Sequence, residues 1–288
     1  MNYALQIENL CKSYKKSNFS LSNINLNIPQ GCVMGFVGKN GAGKTTTINT
    51  LLNIAYKDNG TVKLYGQNLE DKQMDPRNDI GVVFDSTHFS IENTPVKLER
   101  VMQSIYKNWN TTTFYQLLER FELDKKKKIK EFSRGMLMKL SIAVALSHNA
   151  KFLILDEATA GLDPVAREEI LDILLEFMEH ETHSILMSSH ISSDLEKIAD
   201  YITFIHNGKI ILVESKDALL YEYGIASIKQ TDFNALDSEE YISYRQRGLQ
   251  IELLLRNKKE FIQNHPTLMV DNTSIDEMLA LLIQEEHS

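Results

Sequence analysis

Cysteine is scarce in this sequence, because Cys11 and Cys32 are the two cysteines among 288 residues. They form no C-x-x-C pair and have no partnering histidine cluster, which disfavours a disulfide framework, a redox centre and a cysteine metal site. We expect two buried, reduced thiols. Proline and glycine number only 5 and 13, and this composition excludes collagen-like and linker-like chains.

Long apolar runs are also missing. The longest ones, such as Lys151–Asp156 and Ser184–Ser188, have the length of a strand, well below the roughly 18 residues that a membrane-spanning helix needs. The first ten residues lack the basic and apolar segments of a secretory signal. The sequence therefore predicts a protein that does not cross a bilayer and resides in the cytosol.

Positive charge is in deficit. The chain has 31 Lys and Arg against 39 Asp and Glu, a formal net charge of −8, which disfavours a broad electrostatic grip on nucleic acid. We therefore expect no nucleic-acid partner. The length suits one large domain with an appendage or two modest domains.

The periodicity of apolar residues changes along the chain. Residues 4–10 and 21–28 alternate apolar with polar, which predicts an antiparallel β layer with a turn at Lys15–Asn18. From about 94 to 150 the period moves towards 3.6, which predicts a helical block. Strand patterns return at 152–155, 185–187 and 202–205. Strands alternating with helical segments predict an α/β fold.

The last third of the chain adds a hairpin and a different segment. Asn207-Gly208 is a strong hairpin turn signal. Beyond residue 220 we predict a small α/β unit with a strand at Leu249–Leu255, a short helix near Lys259–Gln263 and a final helix starting at Ser274. The final helix begins with the S-x-x-E pattern of a capping box.

The strongest chemical signal is Gly38-(x4)-Gly43-Lys44-Thr45, which has P-loop spacing and lies between the apolar strand Cys32–Val37 and a helical pattern. Glycines allow a tight turn whose N–H groups point at phosphate oxygens, and the helix N-terminus adds a positive dipole. Lys44 suits the β- and γ-phosphates, and the Thr45 hydroxyl suits Mg²⁺.

A second signal is a pair of acids at the end of a buried strand. Phe152–Leu155 is entirely apolar and is followed by Asp156 and Glu157. Asp156 suits a water-mediated contact to Mg²⁺, and Glu157 suits a base or a group that positions an attacking water. A GTPase is weakly supported, because Asn257–Glu260 only approximates the guanine-recognition pattern N-K-x-D.

From Tyr14 to Val213 the chain resembles the ATP-binding subunits of ATP-binding-cassette (ABC) transporters. Gly38–Thr46 matches the Walker A loop of the family, Phe152–Glu157 its Walker B strand and Ala160–Asp163 its D-loop. His190 matches the switch histidine, and Tyr14 matches the aromatic residue that stacks on adenine. The five motifs follow one another along the chain in the order of the family, and this makes the resemblance specific.

Two positions depart from the family pattern. The signature L-S-G-G-Q is replaced by Phe132–Met136, which keeps Ser133 and Gly135 but has Arg at 134, a variant of bacterial export-type relatives such as bacitracin-type ATPases. The residue expected to be the Q-loop glutamine is Asp85. Aspartate can contact Mg²⁺ or its waters but cannot donate a hydrogen bond as glutamine does.

The resemblance implies a P-loop NTPase fold with a RecA-like core, an N-terminal antiparallel β layer, an inserted helical subdomain over about 86–150 and a small C-terminal α/β appendage. It implies a nucleotide-binding domain over 1–219 and an accessory domain over 220–288. It also implies Mg²⁺ at Thr45, Asp85 and Asp156, and catalytic roles for Lys44, Glu157 and His190. The residues implied to bind ATP are Tyr14, Gly38, Lys39, Asn40, Gly41, Ala42, Gly43, Lys44, Thr45, Thr46, Ser133 and Gly135.

The resemblance further implies that two such chains, identical or paralogous, enclose two ATP molecules, and that a separate integral-membrane permease holds them at the inner face of the membrane. The implied function is ATP-driven export of a peptide, an antibiotic or another amphipathic molecule. One alternative stays open: a cassette ATPase without a transporter, in a regulatory, DNA-linked or ribosome-linked role.

Overall fold

The computed structural model describes residues 2–15, 18–71 and 76–284. The strands are β1 Tyr3–Ser13, β2 Ser20–Pro29, β3 Val33–Val37, β4 Asn59–Leu64, β5 Gln67–Asn68, β6 Ile80–Val83, β7 Phe152–Asp156, β8 Ser184–Ser188, β9 Tyr201–His206, β10 Lys209–Ser215, β11 Gly224–Lys229, β12 Ser243–Arg247, β13 Gln250–Leu255 and β14 Val270–Asp271. The α-helices are α1 Lys44–Leu51, α2 Pro95–Ile105, α3 Thr111–Arg120, α4 Arg134–Leu146, α5 Pro164–Met178, α6 Ser192–Ile198, α7 Lys216–Tyr221, α8 Gln230–Phe233, α9 Lys258–Asn264 and α10 Ile275–Leu282. Single 3₁₀ turns lie at Pro76–Asp79, Ile129–Glu131 and Ser238–Glu240.

The central sheet has the strand order β10-β9-β3-β8-β7-β6. All neighbours pair in parallel except the β9–β10 hairpin, whose turn lies at the predicted Asn207-Gly208. Every residue of β3, β7 and β8 is buried, as continuous apolar runs require when both faces of a sheet are covered. Since parallel strands end at the same edge, the residues that follow β3, β7 and β8 meet there.

The N-terminal layer is an antiparallel sheet of order β2-β1-β4-β5. The predicted alternation is confirmed, because Leu21, Ile24, Leu26 and Ile28 are buried between exposed residues. Of the predicted turn at 15–18, Lys16 and Ser17 lie outside the described residues. The Tyr65 hydroxyl contacts the carbonyl oxygens of Lys151 and Thr182 at 2.9 and 3.1 Å, which joins this layer to the central sheet.

The predicted helical block is confirmed: α2, α3 and α4 lie between β6 and β7. Its polar centre is Glu99, a buried carboxylate that accepts hydrogen bonds from Thr111 Oγ1 at 2.7 Å and Trp109 Nε1 at 3.3 Å. Because a buried carboxylate needs such partners, these bonds fix the angle between α2 and the start of α3.

The segment predicted to form the C-terminal appendage, residues 220–288, contains a four-stranded antiparallel sheet of order β12-β13-β11-β14. The predicted capping box at the start of α10 is confirmed, because Ser274 and Glu277 bond each other reciprocally. The expected boundary at 219/220 falls inside α7 and stays a prediction. Residues 285–288 lie outside the described part of the chain.

Two smaller findings complete the fold. Cys11 and Cys32 are free thiols, as expected, but both are half-buried rather than buried. Burial and the nearby Asp200 carboxylate raise the pKa of the Cys32 thiol. Across residues 2–15, 18–71 and 76–284, none of the helices combines the length and the apolarity needed to span a membrane.

Candidate functional site

The loop between β3 and α1 is shaped by its glycines. Gly43, just before α1, has φ of 120°, a conformation that L-residues with a side chain rarely adopt. A Cβ on Gly38 would lie 2.5 Å from the carbonyl oxygen of Ile205 on the neighbouring strand β9. The chain therefore turns tightly into the N-terminus of α1, where free N–H groups and the helix dipole favour an anion.

Lys44, the first residue of α1, is 6% exposed and reaches back over this loop. Its Nζ donates a hydrogen bond to the carbonyl oxygen of Gly38 at 2.7 Å and lies 3.4 Å from Oε1 of Glu157. A buried ammonium group is stable only with such partners. The lysine thus places a positive charge between the loop and the end of β7.

Asp156 ends β7 and accepts two hydroxyl hydrogen bonds. Thr45 Oγ1 donates to Oδ2 at 2.8 Å, and Ser188 Oγ donates to Oδ1 at 2.5 Å. The Ser188 hydroxyl oxygen also lies 3.1 Å from the backbone nitrogen of Glu157, which donates to it. Ser188 is a site residue that the sequence interpretation missed, although it lies only two residues before His190.

Glu157 follows β7 in a left-handed conformation with φ of 55°. The backbone N–H of His190 donates to its Oε2 at 3.2 Å, and Nδ1 of His190 contacts the same oxygen. The left-handed turn lets Glu157 reach both Lys44 and His190. The structure thus brings together the three residues that were predicted to be catalytic.

The loop and Glu157 line one open cavity of about 530 Å³. Asp85, two residues beyond the end of β6, lines this cavity and also an adjacent one of about 420 Å³ that Asp156 borders. Most of the residues that were predicted to bind ATP or Mg²⁺ therefore line these two cavities. The residues that line the larger cavity are Phe19, Lys39, Asn40, Gly41, Gly43, Lys44, Thr45, Thr46, Asp85 and Glu157.

Of the other loop residues, Gly38 accepts the Lys44 bond and Ala42 is buried behind the loop. Phe19 was missed by the sequence interpretation, because a single aromatic residue ahead of a strand carries no motif. Its ring lies 3.2 Å from where a Cβ on Gly43 would be. Tyr14 is not among the cavity-lining residues; it is 40% exposed, with Lys12 Nζ 5.0 Å from its ring centroid.

Ser133 and Gly135 are also absent from the lining of both cavities. Ser133 caps α4, and its Oγ accepts a hydrogen bond from the N–H of Met136 at 3.2 Å. The Arg134 guanidinium lies 3.2 Å from the position of a Cβ on Gly161, so signature and D-loop touch. The N–H groups of Ala166 and Val165 bond Asp163, the cap of α5, and hold its pKa below the ordinary value.

A phosphate-binding loop after β3, paired acids at the end of β7 and a parallel sheet define a P-loop NTPase, as the sequence predicted. A family model described as "ABC transporter" matches residues 21–160. The bacitracin transport ATP-binding protein BcrA of Enterococcus faecalis is 31% identical over 241 residues, which cover 83% of this chain and 77% of that protein.

The lantibiotic transport ATP-binding protein SrtF of Streptococcus pyogenes is 37% identical over 215 residues, covering 74% of this chain and 91% of that protein. Among solved structures, an ATP-binding subunit of an ABC transporter matches with a TM-score of 0.68 and 25% identity, over 75% of this chain and 91% of that one. The chain belongs to the ATP-binding subunits of ABC transporters, and its enzymatic activity is ATP hydrolysis. These relationships favour the transporter interpretation over the cassette without a transporter.

Proposed function

We propose that this chain powers an exporter whose membrane-spanning permease is a separate protein. The ATP hydrolysis that would power it is best supported by the bonded network at the edge of the central sheet, in which Thr45 contacts Asp156 while Glu157 contacts both Lys44 and His190. The relatives named for bacitracin and lantibiotic transport support a peptide, an antibiotic or another amphipathic molecule as the exported substrate.

In the proposed mechanism the backbone N–H groups of 38–46 hold the phosphates of ATP, and Lys44 exchanges its bond to Gly38 for the β- and γ-phosphates. Glu157 takes a proton from the attacking water. Its Oε1 accepts no hydrogen bond from the described residues and lies 3.4 Å from Lys44 Nζ. When Lys44 moves to the phosphates, this oxygen becomes available to a water molecule. His190 holds the carboxylate through Oε2 and stabilises the γ-phosphate.

We propose that Mg²⁺ is held by Thr45, Asp156 and Asp85. The Thr45 and Asp156 oxygens lie 2.8 Å apart, and hydroxyl and carboxylate oxygens are the ligands that this cation prefers. Within residues 2–15, 18–71 and 76–284 no three His, Cys, Asp or Glu side chains form a metal cluster, which suits a cation that takes its other ligands from phosphate and water. Bound there, Mg²⁺ would neutralise charge on the phosphates.

The second half of each site comes, in this proposal, from another chain. Ser133 and Gly135 of a second copy or of a paralogue contact the γ-phosphate of an ATP held by Gly38–Thr46 of the first chain. Separately, Tyr14 is proposed to stack on adenine. The N-terminus of α4 supports this role, because its N–H groups and dipole favour an anion. ATP then binds the closed pair more tightly than the open pair, and this difference drives work on the attached permease.

We further propose that the helical block contacts the permease and thereby holds the chain at the inner face of the membrane. The block carries large apolar side chains that are well exposed: Ile91 and Ile105 are each 59% exposed and Val101 is 43% exposed. Val101 and Ile105 are four residues apart on α2 and so lie on one face of it, and exposed apolar residues that lie together mark protein-protein contact surfaces.

The Glu157→Gln variant tests the proposed base. We expect phosphate release to fall by a factor of about 10² to 10⁴, the usual contribution of a general base, while ATP binding persists and the dimer accumulates. Steady-state phosphate release, nucleotide titration and size-exclusion chromatography measure the three properties. Glu179→Gln, at an exposed helix end, is the matched control. Near-normal hydrolysis by Glu157→Gln would remove Glu157 from this role.

A further inference from the structure

The last helix of the appendage packs on the helix that follows the switch histidine. Ile275, Met278 and Leu281 lie on one face of α10 and are at most 1% exposed. They belong to the same hydrophobic cluster as Leu195 and Ile198 of α6, and the two helices are in contact. The appendage and the nucleotide-binding part therefore share one core.

A polar bond joins the same two helices. Ser192, the first residue of α6, donates a hydrogen bond from Oγ to Oδ2 of Asp276 at 2.8 Å. The residue before it, Ile191, provides no side-chain cap for α6. Asp276 lies in the first turn of α10, so the start of one helix is fixed to the start of the other.

Ser192 is only two residues beyond His190, a separation that an extended chain spans in at most about 7 Å. His190 in turn contacts Glu157 through both its backbone N–H and its ring. A displacement of the first turn of α6 therefore moves the histidine relative to the carboxylate.

Other contacts hold α6 farther from His190. Arg167 Nε lies 3.9 Å from the buried Asp194, Lys197 pairs with Glu168, and Lys216 Nζ donates to the Glu196 carbonyl oxygen at 3.0 Å. These contacts fix the middle and the end of α6. The Ser192–Asp276 bond acts on its first residue.

We infer that Asp276 is a positioning residue of the ATPase site: through Ser192 it sets the start of α6 and hence the place of His190 beside Glu157. The appendage thereby controls the rate of hydrolysis in the same chain. This inference rests on the role proposed above for His190. Asp276 itself touches neither nucleotide nor phosphate, so its removal changes turnover and leaves nucleotide affinity intact.

Ser192→Ala is the decisive variant, because it deletes the bond without altering α10. We expect kcat for ATP hydrolysis to fall about 3- to 10-fold, within the range of coupling energies between packed elements, with the ATP dissociation constant and the thermal unfolding midpoint unchanged. The ¹⁵N chemical shifts of the His190 ring should move. The double variant with Asp276→Ala should lose no more activity than the larger single loss, since both remove one bond.

Two further variants complete the test. Asp276→Asn keeps an acceptor oxygen for Ser192 and should retain at least about half of the normal kcat. Asp271→Ala removes another exposed carboxylate of the appendage and should leave both kcat and the His190 ring shifts unchanged.

Failure of the positioning role can be distinguished from failure of the proposed mechanism. A normal kcat in Ser192→Ala together with a strong loss in His190→Ala overturns the positioning role and leaves the proposed mechanism intact. A normal kcat in His190→Ala overturns the role of the histidine and the inference with it. Losses that multiply in the double variant show two independent effects and also overturn the inference.

Discussion

Two parts of this ATPase differ in how their polar groups are hydrogen-bonded: the Walker side, which comprises the loop 38–46, the end of β7 and His190, and the signature side, which comprises residues 132–136 at the start of α4. On the Walker side, Lys44, Glu157 and His190 form one connected set within the chain. On the signature side, Ser133 bonds only to the backbone of its own helix among the described contacts. Gly135 has space around it, because a Cβ added there would have its nearest neighbouring atoms 3.9 Å away.

This difference indicates which site residues are already held in place by contacts within a single chain. Catalytic groups must be held in place by their neighbours, and the Walker residues meet that condition within one chain. The signature residues lie at an open helix start, where N–H groups can bond an outside anion. The proposed site shared between two chains would account for both arrangements.

The largest expected effect comes from inactivating the Walker side in one variant and the signature side in another, and then mixing the two proteins. Lys44→Ala and Ser133→Arg homodimers should each lose nearly all ATPase activity. Mixing the two proteins should restore about a quarter of it, because about half of the dimers are then mixed and each mixed dimer has one intact site out of two. Phosphate release after mixing and re-equilibration measures this.

Thermal unfolding of each variant verifies that the lost activity is not lost folding. Mixing two batches of Lys44→Ala protein is the control, and it should stay inactive. A mixture of the two different variants that also stays inactive, although size-exclusion chromatography shows dimers, would contradict the shared site.

An effect of intermediate size is expected when two buried serine hydrogen bonds are compared. One has a charged acceptor on the Walker side, and the other has a neutral acceptor at the end of α4, the signature helix. Ser188 and Ser147 are both 0% exposed; Ser188 donates to the Asp156 carboxylate, whereas Ser147, just after α4, donates to the carbonyl oxygen of Ala143. We expect Ser188→Ala to lower the free energy of unfolding by about 1.5 to 3 kcal/mol and Ser147→Ala by about 0.5 to 1.5 kcal/mol.

Urea unfolding of both variants measures the two losses. Equal losses would show that Asp156 is satisfied without Ser188, and the Walker network would then be less tightly connected than its distances indicate.

The smallest effect concerns the far end of the signature helix, where His148 is 1% exposed and stacks on Tyr106 with ring centroids 4.1 Å apart. Burial lowers the pKa of His148 below 6.5. As the pH falls below about 6.5, the unfolded chain binds a proton that the folded chain does not, so the free energy of unfolding decreases.

His148→Phe keeps an aromatic ring against Tyr106 and removes the titration. The free energy of unfolding of this variant should fall less between pH 7 and pH 5.5 than that of the unchanged chain, as measured by urea unfolding at several pH values. Parallel pH dependences in the two proteins would contradict the assignment to His148.

The sequence was sufficient for elements whose signal is local. The P-loop spacing fixes residue types through the phosphate it must hold, so Gly38 to Gly43 could be placed on a turn, and Lys44 and Thr45 at the start of the helix that follows. The hairpin at 207–208 and the capping box at Ser274 are also local patterns, and both are confirmed.

Elements that depend on distant partners were not predicted. Strand β12 consists of Ser-Tyr-Arg-Gln-Arg, which has no apolar alternation and is a strand because it pairs with β13. Helix α6 is seven residues long, too short for a clear period. The contact of Lys44 with Glu157 was missed for the same reason, since it joins residues far apart in the sequence.

The left-handed backbone of Glu157 has a consequence for protein engineering. At φ of 55° glycine is the residue with the least conformational penalty, and a side chain there costs on the order of 1 kcal/mol. Replacement by glycine would also leave the buried Lys44 ammonium without its carboxylate partner, and breaking a buried ion pair costs about 3 to 5 kcal/mol, more than the backbone strain. Selection of variants for heat resistance alone would therefore retain Glu157, so the ion pair with Lys44 keeps the proposed base at a backbone position that would otherwise favour glycine.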